Sequence, residues 1–465
     1  MKIANCKLKI GWSECGFIAL VVIAIAVRVA AVFAVGSYKL DHVTYEHGEI
    51  ARNLVEGRGF VVRWMGAEGP TSQQAPVYPA LVAVFYLLFG VQTPAALLAL
   101  QILQCVIGGV LAGCVVLLTR ELLPEQPLAG LLAGIGTALY PTLIYMATQV
   151  QVASVATMLV VFVLWASARA ARIGSMREAT VCGIAGGLLI LTDPILGLVE
   201  LAALGMIWLG VRNRSLQREP FAPVQLIAVA LVACADVVCP WILRNYLAHG
   251  ELVFVKSTFG YAFWQGNHPR SFGTDKIPLS SELGESPGWG LRALEQSLWR
   301  SRLIDTLYID DAVLPNARIA ELGRFTEPER SRQLMAEIVP YIRQHPGHYV
   351  RLCLQRLRFF LLFDETNPKS RVWVYRASHM ALQVVALAGL WFSRQFWRQL
   401  WPTYLVFVLV TAFHALTIVS ARFHIPLEPI QILWAGCGVA ELIRIAAIRF
   451  RSHHPHLEPQ MAAAA

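Results

Sequence analysis

The sequence predicts an all-α polytopic membrane protein. It has about ten transmembrane helices, a first external loop lying at the membrane interface and a second, larger external loop. Three observations predict this. Of 465 residues, 56% are hydrophobic and only 15% are charged, a balance found in membrane chains rather than soluble enzymes. Apolar runs recur at about 20 residues, the length at which a helix crosses a bilayer. Short arginine clusters sit between the runs so that one orientation satisfies all of them.

Residues 16–36 form the first run. Lys2, Lys7 and Lys9 precede it, which places its N-terminus in the cytoplasm and reads as an uncleaved anchor. Arg28 interrupts the run and is expected to snorkel or to pair within the bundle. Asp236, an acid inside a later run, is one candidate partner. The stretch 40–79 follows, with Asp41, His42, Glu46, His47, Glu49, Arg52 and Glu56 crowded into an otherwise apolar chain. Residues 43–56 within it are read as a helix. Segment 76–90 is apolar but only about 15 residues long, nearer an interfacial helix than a crossing one.

Nine more runs follow, at 94–118, 127–147, 150–168, 179–192, 195–211, 224–243, 372–392, 400–420 and 425–445. Arg169, Arg172 and Arg177, then Arg212, Arg214 and Arg218, then Arg394 and Arg398, and finally Arg444, Arg449 and Arg451 stand between or after them. All are assigned to the cytoplasm. Arg120 joins them only if 76–90 does not cross.

Three regions result. An N-terminal membrane module covers 1–243 and contains the first external loop (37–93). A large external loop covers 244–371, and C-terminal helices with a cytoplasmic tail cover 372–465. Within the large loop, 328–363 reads as two amphipathic helices broken at His345-Pro346. Met335, Ile338, Val339 and Ile342 share one face of the first. Leu352, Leu357 and Phe360 share a face of the second, with Arg351, Arg356 and Arg358 elsewhere. The pair either lies on the surface and caps the bundle, or lends arginines to a lipid phosphate.

The net charge of +9 bears on orientation and anionic lipid; no basic patch with interleaved aromatics suggests nucleic acid. The nine cysteines are scattered, without CxxC pairs, so neither a disulfide framework nor a metal-ligand spacing is expected. Inverted repeats, which many transporters show, are not evident.

Several phrases carry a resemblance. Asp41 and Tyr45 are followed by Ala51-Arg52-Asn53-Leu54-Val55-Glu56-Gly57-Arg58-Gly59-Phe60 and by Pro76-Val77-Tyr78-Pro79. Later come Trp241-Ile242-Leu243-Arg244-Asn245 with Gly250, then Gly266-Asn267-His268-Pro269, and Arg422-Phe423-His424-Ile425-Pro426. In order and spacing this set resembles the GT-C glycosyltransferases, nearest to family 39/83 (the protein mannosyltransferase-like and aminoarabinose transferase-like group).

The resemblance implies the GT-C fold in a bacterial inner membrane, with the site facing the periplasm and both termini in the cytoplasm. It implies a polyprenyl-phosphate sugar as donor, an acceptor of unstated kind, and membrane lipid as surroundings. Inverting transfer needs a base for the acceptor hydroxyl and a cation for the departing phosphate. Asp41 fits the base, although it also fits an N-cap of the following helix. Arg422 fits the phosphate partner, with Arg244 competing; snorkelling is the plainer account of Arg422. Tyr45, Glu49, Tyr78, Gln149, Gln151, Asn245, Asn267, His268 and His424 are the expected substrate contacts. The sequence fixes no cofactor. A divalent metal could be held by Asp41, His42 and Glu46, since some GT-C enzymes bind one there.

The chain departs from the family in two places. The external turn after residue 139, YPTLIYMATQVQVAS, carries Gln149 and Gln151 where relatives place a second acid, and His42 follows Asp41 where many have Glu. A glutamine hydrogen-bonds a sugar but is no base. Two readings compete with transfer: a transporter or flippase of lipid-linked glycans, and a divergent binder without turnover. Polar residues gathered on one side of the membrane favour transfer over translocation.

Overall fold

A computed structural model describes residues 14–40, 44–212, 222–279 and 290–453. Asp41 and His42 therefore lie outside the described residues. Nineteen α-helices and two short two-stranded sheets are seen among them. The first part of the chain gives α1 (Glu14–Val35), α2 (Tyr45–Val55), β1 (Val61–Trp64), β2 (Ala67–Pro70), α3 (Val77–Phe89) and α4 (Pro94–Leu122). Next come α5 (Pro127–Leu139), α6 (Pro141–Met146), α7 (Ala153–Ile173), α8 (Met176–Ile190), α9 (Val199–Arg212) and α10 (Pro223–His249).

Seven helical segments among the described residues are long and apolar enough to cross a membrane. Each of the ten runs read from the sequence does hold a helix, but three fall short. α5 has 13 residues and α8 has 15. Pro141 ends α5, because the residue before a proline is pushed out of the helical region, and Tyr140 is extended (φ −69°, ψ 122°). The third run, at 372–392, carries Arg376 and His379. α3 has 13 residues, about 20 Å of helix against a hydrocarbon core of about 30 Å. It buries Tyr78, Pro79, Val82 and Tyr86 and exposes Val84, Leu87, Leu88 and Phe89.

Arg28 is fully buried and donates to the carbonyls of Ala24 (3.0 Å), Ala138 (3.0 Å) and Thr137 (2.9 Å). Asp236 is exposed on α10 and is not its partner, which corrects the sequence expectation. An arginine with several donors satisfies itself on carbonyls where a helix end leaves them free, and α5 ends here.

The large loop holds α11 (Phe259–Asn267), β3 (Lys276–Pro278), α12 (Leu291–Ile304), β4 (Thr306–Tyr308), α13 (Ile309–Val313), α14 (Asn316–Leu322), α15 (Glu327–Gln344) and α16 (Pro346–Leu361). The expected break falls at His345-Pro346. α15 packs on α11 through Leu334 and Ile338. Arg356, read as lying away from the apolar face of α16, is fully buried instead. It donates to the carbonyls of Ala415 (2.7 Å) and Gly266 (2.8 Å) and to Asn267 Oδ1 (3.0 Å). Arg358 pairs with Glu365.

The chain closes with α17 (Trp373–Phe392), α18 (Trp397–Leu416) and α19 (Glu428–His453). α17 and α19 meet at Gly389, where an added Cβ would lie 2.1 Å from the Trp434 carbonyl oxygen. Small residues let helix backbones approach this closely.

Candidate active site

The family phrases build a scaffold before they build a site. Gly57 and Gly59 (φ +76° and +85°) make the turn out of α2, conformations that side-chain-bearing residues rarely adopt. The turn delivers Phe60 to α10, where its ring meets Trp241 at 4.9 Å and its carbonyl accepts from Arg244 at 2.9 Å. Arg244 also donates to the Thr71 carbonyl (2.6 Å) and lies over the Phe60 and Trp241 rings. Asn245 is buried and donates to the carbonyls of Val253 and Val255. From α15, buried Glu327 accepts from Thr71 Oγ1 (2.6 Å), Ser72 N (2.6 Å) and Ser257 Oγ (2.5 Å). The first loop is thereby fixed to the large loop.

A second support comes from α4. Its buried glutamines donate to the turn after α6: Gln101 to the Thr148 carbonyl (2.9 Å), and Gln104 to those of Ala147 (3.1 Å) and Gln149 (2.7 Å). The buried Tyr78 hydroxyl donates to Gln104 Oε1 at 2.9 Å. Buried polar groups so paired fix geometry.

These supports surround a cavity of about 600 Å³. Its wall takes Tyr45, Glu46, Gln73 and Gln74 from the first loop and Tyr145, Gln149 and Gln151 from the turn after α6. Lys256, Asp275, Lys276, Glu295, Arg302, Tyr308 and Lys369 come from the large loop, and Tyr375 and Arg422 from the C-terminal part. Apolar residues from α1, α12 and the start of α17 (Ala31, Val35, Leu294, Leu298, Val372, Val374) continue the lining. Five cations face three carboxylates, so the wall favours an anion.

Arg422 is exposed and donates one N–H to Gln151 Oε1 at 2.9 Å; a guanidinium has further N–H groups for an anion. Lys369 Nζ stands 3.4 Å from Gln149 Oε1 and 4.7 Å from the Tyr145 ring centre. Burial pushes this lysine down to about 8; Glu295 opposes the shift, while the charges of Arg302, Lys276 and Arg422 add to it. Burial would raise the Asp275 carboxyl, but the Lys276 ammonium 2.9 Å away, with Arg422 and Arg302, holds it below its usual range. Arg302 donates to the hydroxyls of Tyr45 and Tyr308 and lies 4.6 Å from the centre of the Tyr45 ring. Burial raises the Tyr45 phenol, with Arg302 opposing.

The acid missing from the turn after α6 arrives from elsewhere. Glu295 of α12 is buried and accepts from Tyr145 Oη (2.7 Å), Gln149 Nε2 (3.0 Å) and Trp299 Nε1 (3.0 Å). A carboxylate thus stands against Gln149, although none precedes it in the local sequence. Fully bonded as it is, Glu295 orients the glutamine and tyrosine.

Of the sequence-read residues, the structure brings Tyr45, Gln149, Gln151 and Arg422 to the wall, together with Glu46 of the metal reading. Asp41 and His42 lie outside the described residues. The others stand behind the wall. Arg244, Asn245 and Tyr78 hold the scaffold as described. Glu49 accepts from the Arg63 amide (3.2 Å). Asn267 donates to the carbonyls of Phe263 and Thr417, and His268 lies on Trp264 at 5.1 Å. His424 is buried, its Nε2 meeting the Tyr375 hydroxyl at 3.0 Å. His47 is buried against Tyr78, and burial with the Arg422 and Lys256 charges pushes it down to about 3, so it is neutral. Sequence reasoning missed Lys369, Arg302, Lys276, Asp275 and Glu295. They lie in charge-mixed segments with no spacing to single them out.

Comparisons with known proteins agree with this architecture. Residues 73–241 match the family model described as dolichyl-phosphate-mannose-protein mannosyltransferase. No curated protein matches. Among solved structures, the apo oligosaccharyltransferase of Archaeoglobus fulgidus is similar at a TM-score of 0.54 and 13% identity, over 95% of this chain and 52% of that one. The same enzyme tethered with an acceptor peptide containing the NVT sequon gives 0.52 and 13%, over 96% and 51%. The chain thus spans about half the length of those structures. ArnT from Cupriavidus metallidurans, bound to undecaprenyl phosphate, is similar over 97% of this chain and 81% of that one at 15% identity and a TM-score of 0.37. The chain is a multi-pass, all-α membrane protein with the GT-C fold of the membrane glycosyltransferases.

Proposed function

We propose that the chain transfers a monosaccharide from a polyprenyl-phosphate-linked donor to an acceptor hydroxyl, with inversion, in the cavity that Arg422 and Lys369 line. The observation that carries this reading is the cavity itself. One wall joins an exposed arginine and a lysine to glutamines and tyrosines able to hold a sugar, and apolar residues of α1, α12 and α17 continue it. A lipid phosphate with a sugar needs those three surfaces together. The match of residues 73–241 to the dolichyl-phosphate-mannose-protein mannosyltransferase family model and the GT-C fold support the same donor class.

In the proposed step the acceptor oxygen attacks the anomeric carbon from the face opposite the phosphate. The bond from that carbon to the phosphate oxygen breaks, and polyprenyl phosphate leaves with the electron pair. Arg422 and Lys369 stabilise its charge. Asp41 takes the acceptor proton. It stands four residues before the wall residue Tyr45 in the sequence. The arginine clusters between helices support an inner-membrane orientation with the cavity facing the periplasm and both termini in the cytoplasm.

The test is a radiolabelled polyprenyl-phosphate sugar supplied to membranes holding wild type or Asp41→Asn. Wild type should release polyprenyl phosphate and label an acceptor, and the variant should lose nearly all transfer while keeping its melting temperature. Substantial transfer by the variant removes Asp41 as base. Movement of intact donor across the bilayer without release would establish the transporter reading instead.

A further inference from the structure

Behind the Arg422 turn, three buried side chains converge, and the atoms that face one another lack hydrogen-bond partners. His379 of α17 is fully buried, Glu428 opens α19 fully buried, and His424 is 4% exposed. Among the described residues, this is the group whose ligand atoms could hold a metal ion, all lying within 4.8 Å of one another. His379 Nδ1, His424 Nδ1 and both Glu428 oxygens have no hydrogen-bond partner. Leaving four such atoms unpaired in a dry interior is costly, and an ionised carboxylate most of all.

The outward nitrogens are engaged. His379 Nε2 lies 3.0 Å from the Leu361 carbonyl oxygen. The Gln383 side-chain nitrogen also lies 3.1 Å from His379 Nε2; the tautomer that gives its hydrogen to the Leu361 carbonyl keeps a lone pair on Nδ1. His424 Nε2 is taken by Tyr375 Oη at 3.0 Å. Outer hydrogen bonds on the far nitrogen, with near nitrogens converging, are the arrangement of metal-ligating histidines. Ligand atoms around a tetrahedral zinc stand about 3.4 Å apart, given bonds of about 2.1 Å. Here His424 Nδ1 to Glu428 Oε1 is 3.3 Å and His379 Nδ1 to the same oxygen is 3.8 Å. The Tyr140 hydroxyl, buried without a partner, faces Glu428 from the end of α5. It, or a water, would complete the shell.

We propose that His379, His424 and Glu428 bind one divalent transition-metal ion of the zinc class, and that this ion fastens the turn carrying Arg422 to α17. Two imidazoles and a carboxylate suit zinc better than the oxygen-seeking calcium or magnesium. The position argues for a structural rather than a reacting ion. Tyr375 lines the cavity, and His379 sits one turn deeper on the same helix face. His424 lies two residues past Arg422, so the ion sets where the guanidinium stands. This site is separate from the reading that placed a metal on Asp41, His42 and Glu46, and it stands whether or not the cavity transfers sugar.

The experiment measures metal in the purified full-length protein by mass spectrometry, followed by exchange for cobalt. Wild type should carry about one zinc per chain, and cobalt should give the visible absorption of a tetrahedral site. His379→Cys should retain metal and add a sulfur-to-cobalt charge-transfer band, which identifies residue 379 as a ligand. Tyr375→Phe should weaken zinc about 10- to 100-fold. Protein that is folded, metal-free and indifferent to added zinc or cobalt would overturn the proposal and leave a protonated histidine sharing the Glu428 charge. So would a cobalt spectrum unchanged by His379→Cys. Neither result depends on sugar transfer, so failure here is distinct from failure of the proposed function.

Discussion

Replacing Arg422 by alanine probes the phosphate end of the cavity. The side chain is exposed, and its hydrogen bond to a protein side chain goes to Gln151. Its removal leaves no buried partner stranded, so the fold should hold to within about 0.5 kcal/mol. Transfer should suffer far more. A guanidinium facing a phosphate contributes charge-assisted hydrogen bonds of about 1.5–3 kcal/mol. Where those bonds strengthen as the phosphate departs, kcat/KM for the donor falls about 10- to 100-fold, at about tenfold per 1.4 kcal/mol. Arg422→Lys keeps a point charge but loses the planar fork, so it should fall between the two. The assay is release of polyprenyl phosphate from labelled donor by detergent-solubilised protein, with melting temperature as a control. Unchanged KM and kcat in Arg422→Ala would refute the reasoning and return Arg422 to an interfacial side chain.

Lys369 supplies a pH test. Its ammonium is held at about 8 against the usual 10.5, so it loses its proton as pH rises through 8. Donor kcat/KM in the free enzyme should fall above that point, and Lys369→Arg should move the fall upward. The sign for stability is opposite. Below about pH 8 both folded and unfolded states hold the proton and the fold bears the full burial penalty; from about 8 to 10.5 the unfolded state binds more protons, so stability rises with pH. Glu327→Ala should free the first loop, seen as faster hydrogen exchange at residues 71 and 72 and reduced transfer; unchanged exchange would count against the clamp. Arg28→Leu leaves the carbonyls of Thr137 and Ala138 unpaired and should cost about 1–3 kcal/mol each by thermal unfolding in detergent. Gly389→Ala forces a Cβ against the Trp434 carbonyl and should cost about 1–3 kcal/mol or more; an unchanged melting temperature would refute so close an approach.

The architecture was legible because hydropathy and arginine placement act locally. Every run holds a helix, and the proline at 346 splits α15 from α16 where expected. The site was legible only in part. Arg422, Tyr45, Gln149 and Gln151 sit beside the helix ends and turns that recognition phrases mark. Lys369 and Glu295 come from loop segments that meet them only after folding. Arg244, Asn245, Tyr78 and Asn267 show the reverse. A phrase that fixes a loop and a phrase that touches a ligand look alike in sequence, because each asks for a specific polar side chain at a specific place. Carbonyls decide between them: Arg244 and Asn245 give their donors to the backbone of the first and large loops. The charge of Arg28 misled for the same reason, since backbone carbonyls leave no acidic residue to find.

The most direct test of the central claim is an experimental structure of this chain with a polyprenyl phosphate bound. The phosphate should lie within hydrogen-bond reach of Arg422 and Lys369, with the prenyl chain leaving along the apolar residues of α1, α12 or α17. A phosphate seated elsewhere, with the Arg422 cavity holding neither phosphate nor sugar, would contradict it.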